Sequence, residues 1–172
     1  MREGFGDLPE GVGFFSPSSL IATWFGVGLL PGIPGTWGSA AALPFAWLIQ
    51  GNWGSGALLI AAAVLLLAGI WASNVMVRAG GQDDPGLVVV DEVVGQWITV
   101  SVVSPSLVTY FAGFVLIRIF DVLKPWPANS LDRNVHGGLG IMADDLAAAI
   151  YAAPSLFILQ KLGVLAWNPL NN

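Results

Sequence analysis

The chain has 172 residues, of which 55% are hydrophobic and only 10% charged, and its mean hydropathy is +0.74. So few charged side chains cannot cover a soluble domain, where about 25% of residues are usually charged, and the hydrophobicity excludes disorder. The net charge of −5 excludes nucleic-acid binding, and the absence of cysteine excludes disulfides and thiolate metal sites. The sequence predicts an integral membrane protein with one domain over residues 1–172.

Five apolar stretches approach the length of about 20 residues that a helix needs to cross the hydrocarbon core. In chain order they are Trp37–Trp53, Gly56–Val77, Leu87–Val103, Leu107–Leu123 and Leu146–Leu165. A sixth stretch, Ser18–Leu30, is short and glycine-rich, and it predicts an interfacial or re-entrant helix. The expected fold is therefore all-α: a polytopic membrane helical bundle of about five spanning helices in contact with membrane lipids.

The loops between these stretches predict the orientation of the chain. Five crossings place the N-terminal arm, residues 78–86 and residues 124–145 on one side of the membrane, and the loops on the other side carry no charge. The cationic residues of the first side are Arg2, Arg78, Lys124, Arg133 and His136. Since positive loops stay in the cytoplasm, this side is expected to be cytoplasmic, and Lys161 is the exception.

The same topology brings acidic residues from three stretches to one membrane level. Asp91 and Glu92 begin the third stretch, Asp121 ends the fourth, and Asp144 and Asp145 precede the fifth. A carboxylate in a membrane costs at least ~2.5–3.5 kcal/mol on insertion scales, so it indicates function. The structural alternatives are a pair in the headgroup region for the first two acids and N-capping of a helix for the last two.

A row of alternating charge ends the fourth stretch. Arg118 and Asp121 are neighbours on one helix face, and Lys124 follows three residues later, just before Pro125 ends the helix. The row is equally typical of a salt-bridge ladder within one helix, and Arg118 could also pair with the acids of the third stretch.

Carboxylates crowded at one level need a cation among them. Oxygen ligands favour Mg²⁺, which binds one or two carboxylates together with water and phosphate oxygens, and a chain with no cysteine and one histidine disfavours a softer metal. The cations on the same face are suited to binding an anion: Arg118, Lys124, Arg133 and His136. Carboxylates for a metal beside cations for an anion indicate phosphate-ester chemistry.

Two glycine-rich loops add to this prediction. The loop Gly28–Ser39 precedes the first span, and its backbone N–H groups with the hydroxyls of Thr36 and Ser39 could hold a phosphate at a helix N-terminus. The second loop is Gly137–Gly140. For either loop the alternative is tight helix packing. His136 alone is equally consistent with a surface histidine, a phosphate contact or a proton shuttle.

Four ordered motifs between Ala22 and Tyr151 resemble the phosphatidylglycerophosphatase A family. They are Ala22-Thr-Trp-Phe-Gly-Val-Gly28 with Pro34-Gly-Thr-Trp-Gly-Ser39; Asp91-Glu-Val-Val-Gly-Gln-Trp-Ile-Thr99; Arg118-Ile-Phe-Asp-Val-Leu-Lys-Pro-Trp-Pro127; and Asp132-Arg-Asn-Val-His-Gly-Gly-Leu-Gly-Ile-Met-Ala-Asp-Asp145. The chain departs from the family pattern at Val27 and Ala147–Ala149, where the family more often has Ser and Gly. These departures concern loop polarity and helix packing.

The resemblance implies a Mg²⁺-dependent lipid phosphatase of the bacterial inner membrane that hydrolyses phosphatidylglycerophosphate to phosphatidylglycerol and phosphate. The acidic positions of the family, as catalytic and metal-binding residues, fall on Asp91, Glu92, Asp121, Asp144 and Asp145. Lys124 is the basic catalytic position, and the residues expected to bind substrate are Thr36, Ser39, Arg118, Arg133 and His136. The choice of general base, and the choice between attack by water and a phospho-aspartate intermediate, stay open.

The main rival from another class is a small ion or proton transporter, since such proteins also carry intramembrane acids. Transporter acids lie near the bilayer midplane, whereas these are expected at one interface beside cations. A membrane scaffold gives no reason for five acids at one level. A lipid phosphatase with a histidine nucleophile needs at least two histidines, and the chain has one. The sequence indicates no oligomeric state.

Overall fold

The computed structural model describes residues 7–126 and 135–165. These residues form five α-helices and one 3₁₀ turn, Val27–Leu29. The helices are α1 (Pro17–Ala22), α2 (Pro34–Gly80), α3 (Val90–Val100), α4 (Leu107–Leu123) and α5 (Gly137–Lys161). The predicted all-α class is confirmed.

Helix α2 is a helical hairpin rather than one straight rod. Gly54 has φ 82° and ψ 174°, a conformation that is essentially restricted to glycine, and it separates a first arm, residues 34–53, from a second arm, residues 55–80. One buried cluster joins the two arms: Ala42, Ala46, Leu58 and Ala62. The break falls inside the predicted loop between the first two stretches. The two ends of α2 therefore lie on the same side of the molecule.

Helix α3 is the central element, and it is shorter than the stretch Leu87–Val103 predicted. It has 11 residues, about 16 Å at 1.5 Å per residue, which is less than the ~30 Å hydrocarbon core. Val88 and Val89 are not helical because their N–H groups donate to Pro85 O at 2.9 Å and Ala22 O at 2.8 Å. Most α3 side chains are buried against α2 and α5.

Two of the described helices, α2 and α5, are long and apolar enough to cross a membrane. The predicted count of about five crossings stays a prediction. The interfacial helix predicted over Ser18–Leu30 is wrong in length, since α1 has six residues. The chain then turns through left-handed φ at Trp24, Phe25 and Gly26 (46°, 59° and 93°).

Helix α5 begins nine residues before the predicted fifth stretch. The glycines of the loop Gly137–Gly140 form its first turn, because a close approach to other backbone leaves no room for side chains there. Gly138 N–H donates to Asn74 Oδ1 at 3.0 Å, which ties the start of α5 to the second arm of α2. Asp144 and Asp145 consequently lie two turns inside α5, so the N-capping alternative for them is wrong.

Gly138→Ala is expected to lower the free energy of unfolding by about 1–3 kcal/mol, the usual cost of overpacking. A methyl group there would collide with Ile70 O and lie 2.9 Å from Asn74 N, and both are backbone atoms. Gly56→Ala is the matched control, because a methyl group at Gly56 meets nothing within 4 Å. Thermal unfolding in detergent compares the two variants, and equal melting temperatures would contradict this account of the α2–α5 contact.

Candidate active site

Three carboxyl groups meet where the start of α3 packs against the third turn of α5. One oxygen from each of Asp91, Glu92 and Asp145 lies within 4.8 Å of the others. Asp145 is 2% exposed, and the other two are partly buried. Within the described part of the chain, Asp91 Oδ1, Glu92 Oε2 and both Asp145 carboxylate oxygens have no hydrogen-bond partner. Crowded, unpartnered carboxylate oxygens are the ligand set that a hard divalent cation such as Mg²⁺ takes, so these three residues fit a metal.

A cavity of about 370 Å³ opens over these acids. It brings together all five acidic residues predicted from the sequence and two of the predicted cations. Its charged lining is Asp84, Asp91, Glu92, Asp121, Asp144, Asp145, Arg118 and Lys124. The three acidic clusters, far apart in sequence, thus share one space at one end of the bundle.

Arg118 is held in place from two sides. Its Nη2 forms an ion pair with Asp121 Oδ2 at 2.8 Å, the neighbour one turn along α4. Its Nη1 donates to Ser39 Oγ at 3.4 Å. Ser39 is fully buried and does not line the cavity. The sequence placed the Ser39 hydroxyl in a phosphate cradle, whereas the structure places it behind Arg118, as a support for the guanidinium.

Lys124 joins α4 to α5 at the edge of the cavity. Its Nζ lies 2.5 Å from Asp144 Oδ2. Lys124 has a left-handed backbone (φ 41°) as the C-terminal cap of α4, and this turns the chain before Pro125. Asp121 and Asp144 therefore each pair with a cation. The three clustered carboxylates differ from them, because among the described residues they form no ion pair.

The N-terminus of α2 forms part of the wall of the cavity. Pro34 starts the helix, and Pro34, Gly35 and Thr36 all line the cavity. Pro34 has no N–H and the Thr36 N–H donates to Ile33 O at 3.0 Å, so the Gly35 N–H and the partial positive charge of the helix N-terminus are what favour a bound anion here. Thr36 therefore lies where the sequence predicted.

Gly35 also lines the cavity and was not predicted from the sequence. A methyl group there would collide with Glu92 Oε1 and lie 3.3 Å from Arg118 Nη1. The absence of a side chain lets an acid and a guanidinium approach the α2 backbone together. Its position between Pro34 and Thr36, in the loop predicted to hold a phosphate, was the sequence feature that could have identified it.

The remaining predicted residues lie elsewhere. His136 is the N-cap of α5 and lines a smaller neighbouring cavity of about 80 Å³, which also includes Asp91 and Asp144. Arg133 lies outside the described residues. Asp84 lines both cavities and was missed, although an acidic pair directly before Pro85-Gly86 is a turn signal on the predicted face.

Comparison with known proteins gives a consistent result. The model of the family described as Phosphatidylglycerophosphatase A matches residues 20–160. The chain is 38% identical over 156 residues to phosphatidylglycerophosphatase A of Escherichia coli, covering 88% of this chain and 90% of that protein. It is 37% identical over 150 residues to the Haemophilus influenzae protein of the same name, covering 87% and 92%.

A third relative carries a different name. A Bacteroides thetaiotaomicron protein, named provisionally as a phosphatidylinositol-3-phosphatase, is 39% identical over 146 residues, covering 77% of this chain and 87% of that protein. No solved structure matches the chain.

Proposed function

The chain belongs to the phosphatidylglycerophosphatase A family, a family of phosphoric monoester hydrolases, and we propose that it releases phosphate from phosphatidylglycerophosphate to give phosphatidylglycerol. We place this reaction at the cytoplasmic face of the bacterial inner membrane, since Lys124 lines the cavity, His136 lines the smaller cavity beside it, and positive loop residues usually stay in the cytoplasm. The observation that carries the proposal is the single cavity lined by five predicted acids, two cations and the α2 N-terminus.

The metal of this proposal is Mg²⁺, held by Asp91, Glu92 and Asp145. These three are favoured among the five predicted ligands because Asp121 and Asp144 are already paired with Arg118 and Lys124. When bound, the ion would neutralise charge on the phosphoryl oxygens and favour ionisation of a bound water.

The cationic wall of the cavity binds the phosphate group. Arg118 presents a planar guanidinium that matches phosphate geometry, and Asp121 and Ser39 hold it in orientation. Lys124, the Gly35 N–H and the partial positive charge at the start of α2 complete this anion-binding side. These groups stabilise the charge that grows on the equatorial phosphoryl oxygens.

The carboxyl groups of the cavity accept the proton of the attacking water. A carboxylate accepts a proton from the attacking water while the water oxygen bonds to phosphorus. The bond from phosphorus to the glycerol oxygen breaks, and the leaving oxygen takes up a proton, so that the products are a lipid alcohol and inorganic phosphate. We favour this direct attack over a phospho-aspartate intermediate, because it needs one displacement at phosphorus rather than two.

Phosphate release from phosphatidylglycerophosphate in detergent micelles tests the proposal. Release is expected with Mg²⁺ and is expected to fall at least about 100-fold in EDTA, because the three carboxylates then lack their counter-ion. Added Mg²⁺ should restore it. Thermal unfolding in EDTA is the control that separates loss of chemistry from loss of fold.

Two results would overturn parts of this proposal. Release that survives EDTA would remove the metal from the mechanism. Release from phosphatidylinositol 3-phosphate but not from phosphatidylglycerophosphate would move the substrate to the one named for the Bacteroides relative.

A further inference from the structure

The acidic cavity continues into an apolar groove on the outside of the bundle. Thr36 and Arg118 line both the cavity and an adjoining depression of about 480 Å³, whose other lining residues are on α4. Phe114 lines this depression and also a further groove of about 540 Å³ between α4 and the first arm of α2. The three spaces therefore follow one another along one pair of helices, and each shares at least one lining residue with the next.

The groove runs parallel to its two helices and has a defined length. On α2 it extends from Thr36 to Trp47, and on α4 from Arg118 back to Leu107. Eleven steps along either helix span about 16 Å at 1.5 Å per residue. That length is about half of the ~30 Å hydrocarbon core, which is the depth of one leaflet.

The chemistry of the groove changes along its length. At the cavity end stands the Arg118 guanidinium, and beyond Phe114 the lining is almost entirely apolar. Ala40 and Pro44 contribute small side chains to the lining of the groove, and Trp47 and Phe111 contribute aromatic rings. A molecule that fits this profile has an anionic head and one long hydrocarbon chain attached to it.

We propose that this groove, between residues 36–47 of α2 and 107–118 of α4, holds one acyl chain of the lipid whose phosphate lies beside Arg118. The proposal rests on the proposed function and adds where the substrate enters: sideways from the leaflet, between α2 and α4. The occupant is a substrate chain rather than a second protein because the groove and the depression share Phe114, and the depression shares Thr36 and Arg118 with the cavity proposed to bind the phosphate.

Ala40→Leu tests the groove, because Ala40 lines the groove but is not among the residues that line the acidic cavity. Both substrates are phosphatidylglycerophosphates in the same mixed micelles, one with long acyl chains and one with six-carbon chains. The ratio of kcat/KM, long-chain over short-chain, is expected to fall about tenfold, the usual size of a steric effect in an apolar pocket.

The matched control is Ala63→Leu, the same change at an exposed position on the second arm of α2, away from the groove. It is expected to leave the ratio at the wild-type value. If the long-chain to short-chain ratio of kcat/KM in Ala40→Leu equals that of the control, the proposed role of the groove is wrong, while the proposed function stands. A wild-type protein that releases phosphate from neither substrate would overturn both.

Discussion

Asp145→Asn is expected to lower phosphate release at least about 100-fold, within the range of 10²–10⁴ that general acid–base catalysis contributes. Asp145 is 2% exposed, both of its carboxylate oxygens lack a hydrogen-bond partner among the described residues, and Asp91 and Glu92 lie against it. Asn has nearly the same shape but no charge. The variant therefore removes a metal ligand or proton acceptor without leaving a hole.

The same variant is expected to keep or gain stability in EDTA. With no metal, three crowded carboxylates repel each other, and a neutral side chain relieves part of that repulsion. Added Mg²⁺ should raise the melting temperature of the wild-type protein, because a ligand that binds only the folded state stabilises it. That rise should be smaller in Asp145→Asn.

Phosphate release and melting temperature, each with Mg²⁺ and with EDTA, check both expectations. Glu10→Gln is the control, since Glu10 is an exposed acid outside the cavity and its loss should change neither quantity. A folded Asp145→Asn protein with wild-type activity would show that the buried acid cluster takes no part in the reaction.

Gly35→Ala is expected to lower kcat/KM about 100-fold, the scale of loss that a misplacement of about 1 Å can cause in an active site. The added methyl group would collide with Glu92 Oε1 and crowd Arg118 Nη1 at 3.3 Å. Both side chains must move, so one proposed metal ligand and the proposed phosphate-binding guanidinium are displaced together.

Gly51→Ala is the matched control for this change. Gly51 lies in the same arm of α2, and a methyl group there meets nothing within 4 Å. In both variants alanine favours the helix by up to about 1 kcal/mol relative to glycine, so helix propensity cannot explain a loss. Assays of kcat/KM and melting temperature on the pair decide the matter: equal activity in both would refute the role of Gly35.

The convergence of the acids could be predicted from the sequence, and the reason is topological. In the elements predicted from the sequence, Asp91, Asp121 and Asp145 each lie close to a loop, and alternate loops of a membrane bundle fall on the same side. Helix order alone therefore places them at one level. In the structure Asp145 lies two turns inside α5 and still lines the cavity. The distances between the acids, and the pairing of Asp121 and Asp144 with cations, depend on how α3, α4 and α5 pack.

The details that were not predicted depend on how closely chain segments approach one another. The predicted fifth stretch began nine residues too late, because Gly138 and Gly140 lie in the first turn of α5, where nearby backbone oxygens leave no room for a methyl group. Gly35 was missed because its neighbours are acidic and basic side chains of α3 and α4, which sequence spacing does not show. For Ser39 the spacing from Thr36 was clear, but which helix face turns inward was not.

The chain reversal at Gly54 sets the length of the first arm of α2, and with it the distance from the reversal to the cavity. The first arm of α2, residues 34–53, spans about 30 Å at 1.5 Å per residue, the same as the hydrocarbon core. Its far end is the reversal at Gly54, and its near end lines the cavity. In the membrane orientation that we propose, an arm of this length would hold the cavity at headgroup height, where a lipid phosphate already lies, so the substrate would not have to be lifted out of the bilayer.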